Sequence, residues 1–467
     1  MNHSYIAEKL ERFLIENEAA LFADMKTLID IDSVETAPEP GAPYGAGVRR
    51  ALDAALDITA RMGLNTHNCE GHMGYAELPG ISEKQIATIA HLDVVPAGNG
   101  WNSNPFDMVE KDGWVIGRGV IDDKGPLVLT FYLAKFFKEY CEETKTQLPY
   151  TLRILMGCSE ETGMEDIEYY LQHYPMPAFC FTPDAEFPVG YGEKGGFSGE
   201  FRSAKLTGNL VDFQGGVARN VIPDRAFALV KADASTLPSA ERIQITEENG
   251  CAKITGLGIG GHASLPAGTI NAIGLVVNYL LEHSLCSPQE EQFLKMLQTL
   301  HSCTDGSSFG IACRDEVFDP LTCIGGTISF QDGVLSQSID TRYPTAITAP
   351  ELTEKCQALA ALGGGTFTVS SAHDAFYISP DSPAIQILVD TYNEVTGFSK
   401  KPFTMGGGTY ARHFANAVSF GPEENSLEIP DFVGPMHGAN EGANKAFLLQ
   451  ALKIYILSVA RLMELDF

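Results

Sequence analysis

Positive charge is scarce in this chain: 32 lysines and arginines face 60 aspartates and glutamates, a formal net charge of −28 over 467 residues. Such a surface repels phosphate, which argues against nucleic acid and anionic membrane as partners. It says little about a small zwitterion, whose own net charge is near zero. No Cys-x-x-Cys pair occurs among the ten scattered cysteines, so they read as reduced core thiols and not as a disulfide framework. Apolar runs long enough for a membrane span are also missing. The first residues interleave Glu8, Lys9, Glu11, Arg12, Glu16 and Glu18 with apolar side chains, which predicts an amphipathic helix and not a signal peptide. There is no internal repeat and no low-complexity segment. These absences lead to the expectation of a cytoplasmic protein with neither a membrane nor a nucleic acid as partner.

What is present is an ordinary globular composition, with 44% hydrophobic residues and a mean hydropathy of −0.02. The length allows two domains. Through residues 1–189 short apolar runs alternate with helical patterns. Helices are predicted over 1–31, 48–62 (closed by Gly63) and 125–140, with strands over 85–91, 150–158 and 178–181. Such alternation predicts an α/β fold with a mostly parallel sheet flanked by helices. Residues 190–372 are rich in glycine and short β-like runs, with helices near 270–284 and 288–300, and read as an inserted α+β lid domain. From 373 to 467 the first pattern returns, with a helix capped by Ser382-Pro383 and ended by Gly397, a strand over 416–421 and a last helix over 443–463.

Chemistry gathers where these runs stop. In open α/β sheets functional groups cluster beyond the carboxyl ends of the strands. The strand predicted over 85–91 leads into His91-Leu-Asp93, a spacing that puts both side chains on one side and lets the aspartate orient the imidazole. Gly117-Arg-Gly-Val-Ile-Asp122-Asp123-Lys-Gly125 places two aspartates at a helix start, where capping accounts for one of them. Ser159-Glu160-Glu161-Thr-Gly163 follows another strand, Asp184 follows the next, and Met436-His437 lies in a late loop with Asn440 and Glu441. Read singly, each acid is a turn residue, and His373 and His413 rival His437. Together His91, Asp122, Glu161, Asp184 and His437 form an oxygen and nitrogen donor set suited to zinc or manganese. Five donors are too many for one open catalytic zinc. One bridging carboxylate would make them a two-metal site, with metals roughly 3.5–4 Å apart.

In this order the motifs resemble the zinc-dependent peptidases and deacylases that include aminoacylase, acetylornithine deacetylase, succinyl-diaminopimelate desuccinylase and the PepV-type dipeptidases. The resemblance spans nearly the whole chain. It implies His91 and Asp184 on one metal, Glu161 and His437 on the other, and Asp122 bridging them. The metals would be two divalent ions, zinc with manganese or cobalt as alternatives. Asp93 would orient His91, and Glu160 would be the general base that takes a proton from the metal-bridging water. In the lid, the resemblance implies that Asn220 of Asn-Val-Ile-Pro-Asp224 lies close to the substrate. It makes His262 of Gly-Gly-His262-Ala-Ser264 an oxyanion stabiliser and Arg342 of Asp340-Thr-Arg342 the binder of a C-terminal carboxylate. Gly407 and Gly408 of Met405-Gly-Gly-Gly-Thr-Tyr410 would line the substrate pocket with bare backbone. One departure is Gly268, which comes one residue earlier than the family's glycine after the histidine segment; a local turn change is expected there.

The chain's resemblance to the PepV-type enzymes, in the length of the lid, the Gly-Gly-Gly-Thr-Tyr segment and Arg342, implies dipeptide hydrolysis by a monomer, with a homodimer as the alternative. The rival reading is an amidohydrolase of N-acyl amino acids. A non-catalytic metal-binding protein is a third, opposed by the presence of Glu160.

Overall fold

The computed structural model describes all residues, Met1–Phe467, and the chain divides into two compact units. The first comprises Met1–Gly192, Tyr377–Phe403 and Gly408–Phe467. The second comprises Glu193–Phe376 together with Thr404–Gly407. The expected boundaries therefore shift by a few residues, and the glycine run is split: Gly406 and Gly407 group with the second unit and Gly408 with the first.

In the first unit a sheet runs in the order Asn65–Cys69, Met73–Leu78, Tyr150–Gly157, Ser82–His91, Phe179–Thr182, Ala417–Ser419. The last four of these pair in parallel, while Met73–Leu78 meets Tyr150–Gly157 antiparallel, as it does Asn65–Cys69. The sheet is thus parallel through its middle and antiparallel at its edges. Parallel strands are covered on both faces, which is why Tyr150–Gly157 is buried almost from end to end and reads as one apolar run. The register aligns His91 with Gly157 and Thr182 with Ser419, so the strands' carboxyl ends lie side by side.

The helix Lys124–Thr144 is buried around most of its circumference, as its nearly continuous apolar sequence demands. Helices His3–Ile29 and Lys445–Leu462 pack on it with buried residues such as Phe13, Leu21, Leu452 and Val459. Gly397 closes Pro383–Thr396 in the left-handed region, φ 74°, as the sequence predicts. No helix is long and apolar enough to cross a membrane.

The second unit is built on an eight-stranded sheet whose pairings are antiparallel. Burial alternates residue by residue along Cys251–Leu257, the signature of a sheet covered on one face. Helices Ala272–Glu282, Pro288–His301 and Ala349–Leu362 share its core with Phe213, Ile254, Leu335 and Ile339. Asn271 caps the first of them through Ile273 N–H at 3.0 Å, and Ser287 and Glu290 form a capping box on the second. Gly268 lies in the left-handed region at φ 78° in the turn that precedes the first of them.

Candidate metal centre

The parallel strand ends bring five sequence-selected donors together. His91 finishes Ser82–His91 with no exposed surface. Asp184 lies two residues beyond Phe179–Thr182, and Glu161 four beyond Tyr150–Gly157. Asp122 precedes the helix Lys124–Thr144, and His437 comes from the loop Gly434–Asn440. That loop is closed by Gly434 N–H donating to Asn440 O at 2.7 Å, and it holds His437 in the left-handed region, φ 59°.

Asp122 is the hub. Its Oδ1 lies 3.0 Å from His91 Nε2 and its Oδ2 2.6 Å from His437 Nε2. Asp184 Oδ2 is 3.9 Å from the same His91 nitrogen, and Glu161 Oε1 is 3.2 Å from the same His437 nitrogen. Donor atoms of His91, Asp122 and Glu161 fall within 4.8 Å of one another, as do those of His91, Asp123 and Asp184. Asp123 thus joins the cluster, although the sequence offered it mainly as a cap. Neither aspartate caps the helix through its side chain; Asp123 instead accepts His91 N–H at 3.2 Å and leaves its buried Oδ1 without a hydrogen bond.

The electrostatics are lopsided. Burial, then the charge of Asp122, pushes Asp184 well above the usual carboxylate range; burial, then Asp184, does the same to Glu160. Hydrogen bonds donated to Asp122 and Glu161 push His437 up to about 11. At His91 burial opposes the charged form, but Asp122 and Asp93 overcome it and raise the imidazole well above its ordinary value. Glu161 Oε1 is buried without a well-formed hydrogen bond. Crowded carboxylates, imidazoles drawn toward them and orphaned buried oxygens are all relieved by divalent cations among the donors, so the residues present fit metal ions.

Asp93 does a second job besides facing His91. His91 Nδ1 lies 2.9 Å from the backbone carbonyl of Asp93 and 3.5 Å from its carboxylate. The carboxylate accepts Glu160 N–H at 3.2 Å and Glu161 N–H at 3.1 Å. The Asp93 residue thus faces the imidazole with both its carbonyl and its carboxylate, and the same carboxylate holds the Glu160–Glu161 turn. Those glutamates sit in a turn beyond the strand Tyr150–Gly157.

Two residues missed as braces complete the centre. Glu441, fully buried, pairs with Arg118 Nη1 and accepts Gly119 N–H at 2.9 Å and Ile121 N–H at 3.2 Å. Arg118 Nη2 donates to His437 O at 3.2 Å. This pair ties the Asp122 segment to the His437 loop. A buried arginine inside a glycine-rich motif was its one sequence signal.

In the second unit Asn220 and His262 meet on a small ladder: Val221 pairs with His262, and Asn220 O accepts Ala263 N–H at 2.9 Å. His262 is exposed, with Nδ1 2.7 Å from Ser264 Oγ. Arg342 lies on Val334–Tyr343 with its guanidinium forked on Asp340 at 2.7 and 3.2 Å. Gly408 leaves room for Arg412, whose Nη2 would lie 2.1 Å from an added Cβ, while Gly407 is comparatively open, with only Met405 Cε at 3.4 Å. Of the rival histidines, His373 Nδ1 accepts Gly196 N–H at 3.0 Å in the second unit. Burial and Arg412 push His413 down to about 4. Neither is paired with Asp122.

Residues 87–463 match the sequence model of peptidase family M20/M25/M40. The Beta-Ala-Xaa dipeptidase of Lactobacillus delbrueckii subsp. lactis is 31% identical over 468 residues, which covers 95% of this chain and 96% of that protein. The structure of the di-peptidase Dug1p of Saccharomyces cerevisiae matches with a TM-score of 0.62 at 12% identity, over 100% of both chains. Human carnosine dipeptidase 1 matches with a TM-score of 0.57 at 15% identity, over 98% of this chain and 100% of its own. Identities that low speak for the fold alone. The sequence match extends over most of the chain and takes in every donor of the strand-end cluster, and the protein therefore belongs to the hydrolases of peptidase family M20/M25/M40.

Proposed function

We propose that the protein is a di-metal dipeptidase, hydrolysing dipeptides that carry a free C-terminal carboxylate. The observation that carries the metal half of this reading is the position of Asp122, whose two oxygens face two different imidazoles. His91 and Asp184 would hold one cation and His437 and Glu161 the other, with Asp122 shared. Bound divalent cations, zinc or else manganese or cobalt, supply Lewis acidity toward the scissile carbonyl and lower the pKa of water.

The proton work falls to Glu160. Its backbone is fixed by Asp93, and its surroundings favour the protonated carboxyl, first by burial and then by Asp184. In its ionised form such a carboxylate has a raised affinity for the proton of the attacking water, and once protonated it can return that proton to the leaving amine. Arg342, its fork kept planar against Asp340, suits the substrate's terminal carboxylate, and His262 and Asn220 suit the carbonyl being attacked. These three assignments rest on the resemblance of their segments. The substrate class is supported by the relatives' names and by their coverage of nearly the full chain.

A mass-spectrometric panel on protein loaded with zinc, manganese or cobalt tests the proposal. It sets dipeptides, β-alanyl ones included, against tripeptides and N-acyl amino acids. Cleavage of dipeptides is expected. Cleavage of N-acyl amino acids alone would replace the dipeptidase reading with a deacylase one, and no cleavage in either class would contradict an enzyme.

A further inference from the structure

The turn that carries Glu160 is gripped by more than Asp93. Its preceding N–H groups, those of Cys158 and Ser159, both donate to Asp166 Oδ2, at 2.6 and 3.1 Å. Successive amides from 158 to 161 are therefore taken up by two carboxylates, Asp166 and Asp93, each with no exposed surface. Asp166 Oδ2 accepts one more donor, the hydroxyl of Tyr410 at 2.5 Å. Asp166 Oδ1 accepts Ile167 N–H at 2.8 Å, which ties the same carboxylate to the helix Glu165–His173.

Tyr410 is fully buried, and its ring lies against Gly157, the last residue of the strand leading into the turn. A Cβ at Gly157 would come within 2.2 Å of the tyrosine oxygen and 2.6 Å of its ring. Glycine at 157 and tyrosine at 410 are thus one packing solution, and it delivers a hydroxyl to the carboxylate below the base. Burial pushes Asp166 up to about 6, and the hydrogen bond from Tyr410 is the first of the contacts pulling it back toward the charged form. An ionised Asp166 is what three donors on one oxygen require.

We infer that Asp166 and Tyr410 are positioning residues for Glu160: the Tyr410–Asp166 hydrogen bond sets the height and tilt of the turn that aims the base. The inference rests on the proposed role of Glu160. It assigns to the Gly-Gly-Gly-Thr-Tyr segment a function in its tyrosine, distinct from the backbone exposure of its glycines. A turn that drifts by about 1 Å takes the base out of reach of its proton while leaving the substrate's binding groups untouched, and such drift lowers kcat about a hundredfold.

Tyr410→Phe removes the hydroxyl and keeps the ring on Gly157; Asp166→Asn keeps the shape and removes the charge. With a dipeptide substrate and metal-loaded protein, each is expected to lower kcat roughly tenfold to a hundredfold with KM within about twofold. Metal content by inductively coupled plasma spectrometry should equal wild type. The double variant should be no slower than the worse single one, because both act through one hydrogen bond. A purely structural role would show as a lower thermal midpoint with unchanged kcat, and that result in both variants overturns the inference. A raised KM at wild-type kcat, or loss of metal, overturns it as well. Should one variant fail to fold, the other decides alone. Glu160→Ala runs alongside: hydrolysis by that variant sinks the base assignment itself, whereas a dead Glu160→Ala beside a fully active Tyr410→Phe sinks the positioning inference only.

Discussion

The two units solve the placing of polar groups in opposite ways. In the first, His91, Asp93, Asp122 and Asp123 are buried at a parallel strand end and at a helix start, Glu441 is buried just before the short strand Gly442–Asn444, and each is anchored by main-chain amides or by a neighbouring charge. In the second, His262 is exposed on a two-residue ladder, and Arg342 keeps about a sixth of its side chain exposed beside one aspartate. Groups of the first kind are set by the fold before anything binds, which is what a cluster of like charges needs if it is to hold cations. Groups of the second kind can adjust, which suits contact with a ligand.

The largest effect that would sharpen this contrast comes from the brace in the first unit. Glu441→Gln should keep the fold but leave Arg118 buried without its counter-charge, and it loosens the Asp122 segment. Metal affinity is expected to fall roughly tenfold to a hundredfold, measured by competition with a chromogenic chelator. Unchanged affinity would mean that the buried pair is irrelevant to the centre. In the second unit Arg342→Ala should leave metal affinity alone and lower kcat/KM for dipeptides roughly tenfold to a hundredfold, since a charge-assisted hydrogen bond contributes about 1.5–3 kcal/mol. A loss of metal in Arg342→Ala would erase the proposed division between the units.

A smaller effect concerns stability. His301 of the second unit donates Nε2–H to Gln337 Oε1 at 3.2 Å, because Gln337 Nε2 is already committed to Thr327 O and Ser338 O. Burial pushes this imidazole down to about 4 from 6.5. Its folded pKa lies below its unfolded one, so the unfolded chain binds the proton more readily. The neutral ring's contribution is complete above pH 6.5 and is lost as pH falls toward 4, at most about 3 kcal/mol. The urea midpoint should therefore drop between pH 7 and pH 4.5, and His301→Gln should flatten that part of the profile. An identical pH profile in the variant would contradict the assignment.

How much of the centre could be read from the sequence depended on what fixes each residue. His91, Glu160, Glu161 and Asp184 were legible because apolar runs stop just before them, and strand ends of a parallel sheet converge. The second task of Asp93 was not, since two-residue spacing points to the imidazole, and only the turn at 160–161 brings the pair of downstream amides to the same carboxylate. Asp166 looks like any acid in the first turn of a helix, where the dipole alone would favour it. Glu441 finds Arg118 across 323 residues, a pairing to which no local pattern points. The lid strands announced themselves as short β-like runs, but the split of the glycine run between the units depends on tertiary contacts and left no trace in composition.

The most direct test of the central claim separates ligands from base. Glu160→Ala should bind two divalent cations per chain with wild-type affinity and lose hydrolysis by roughly two to four orders of magnitude, the range of general-base contributions. Retained hydrolysis, or cations lost together with the side chain, would contradict the account.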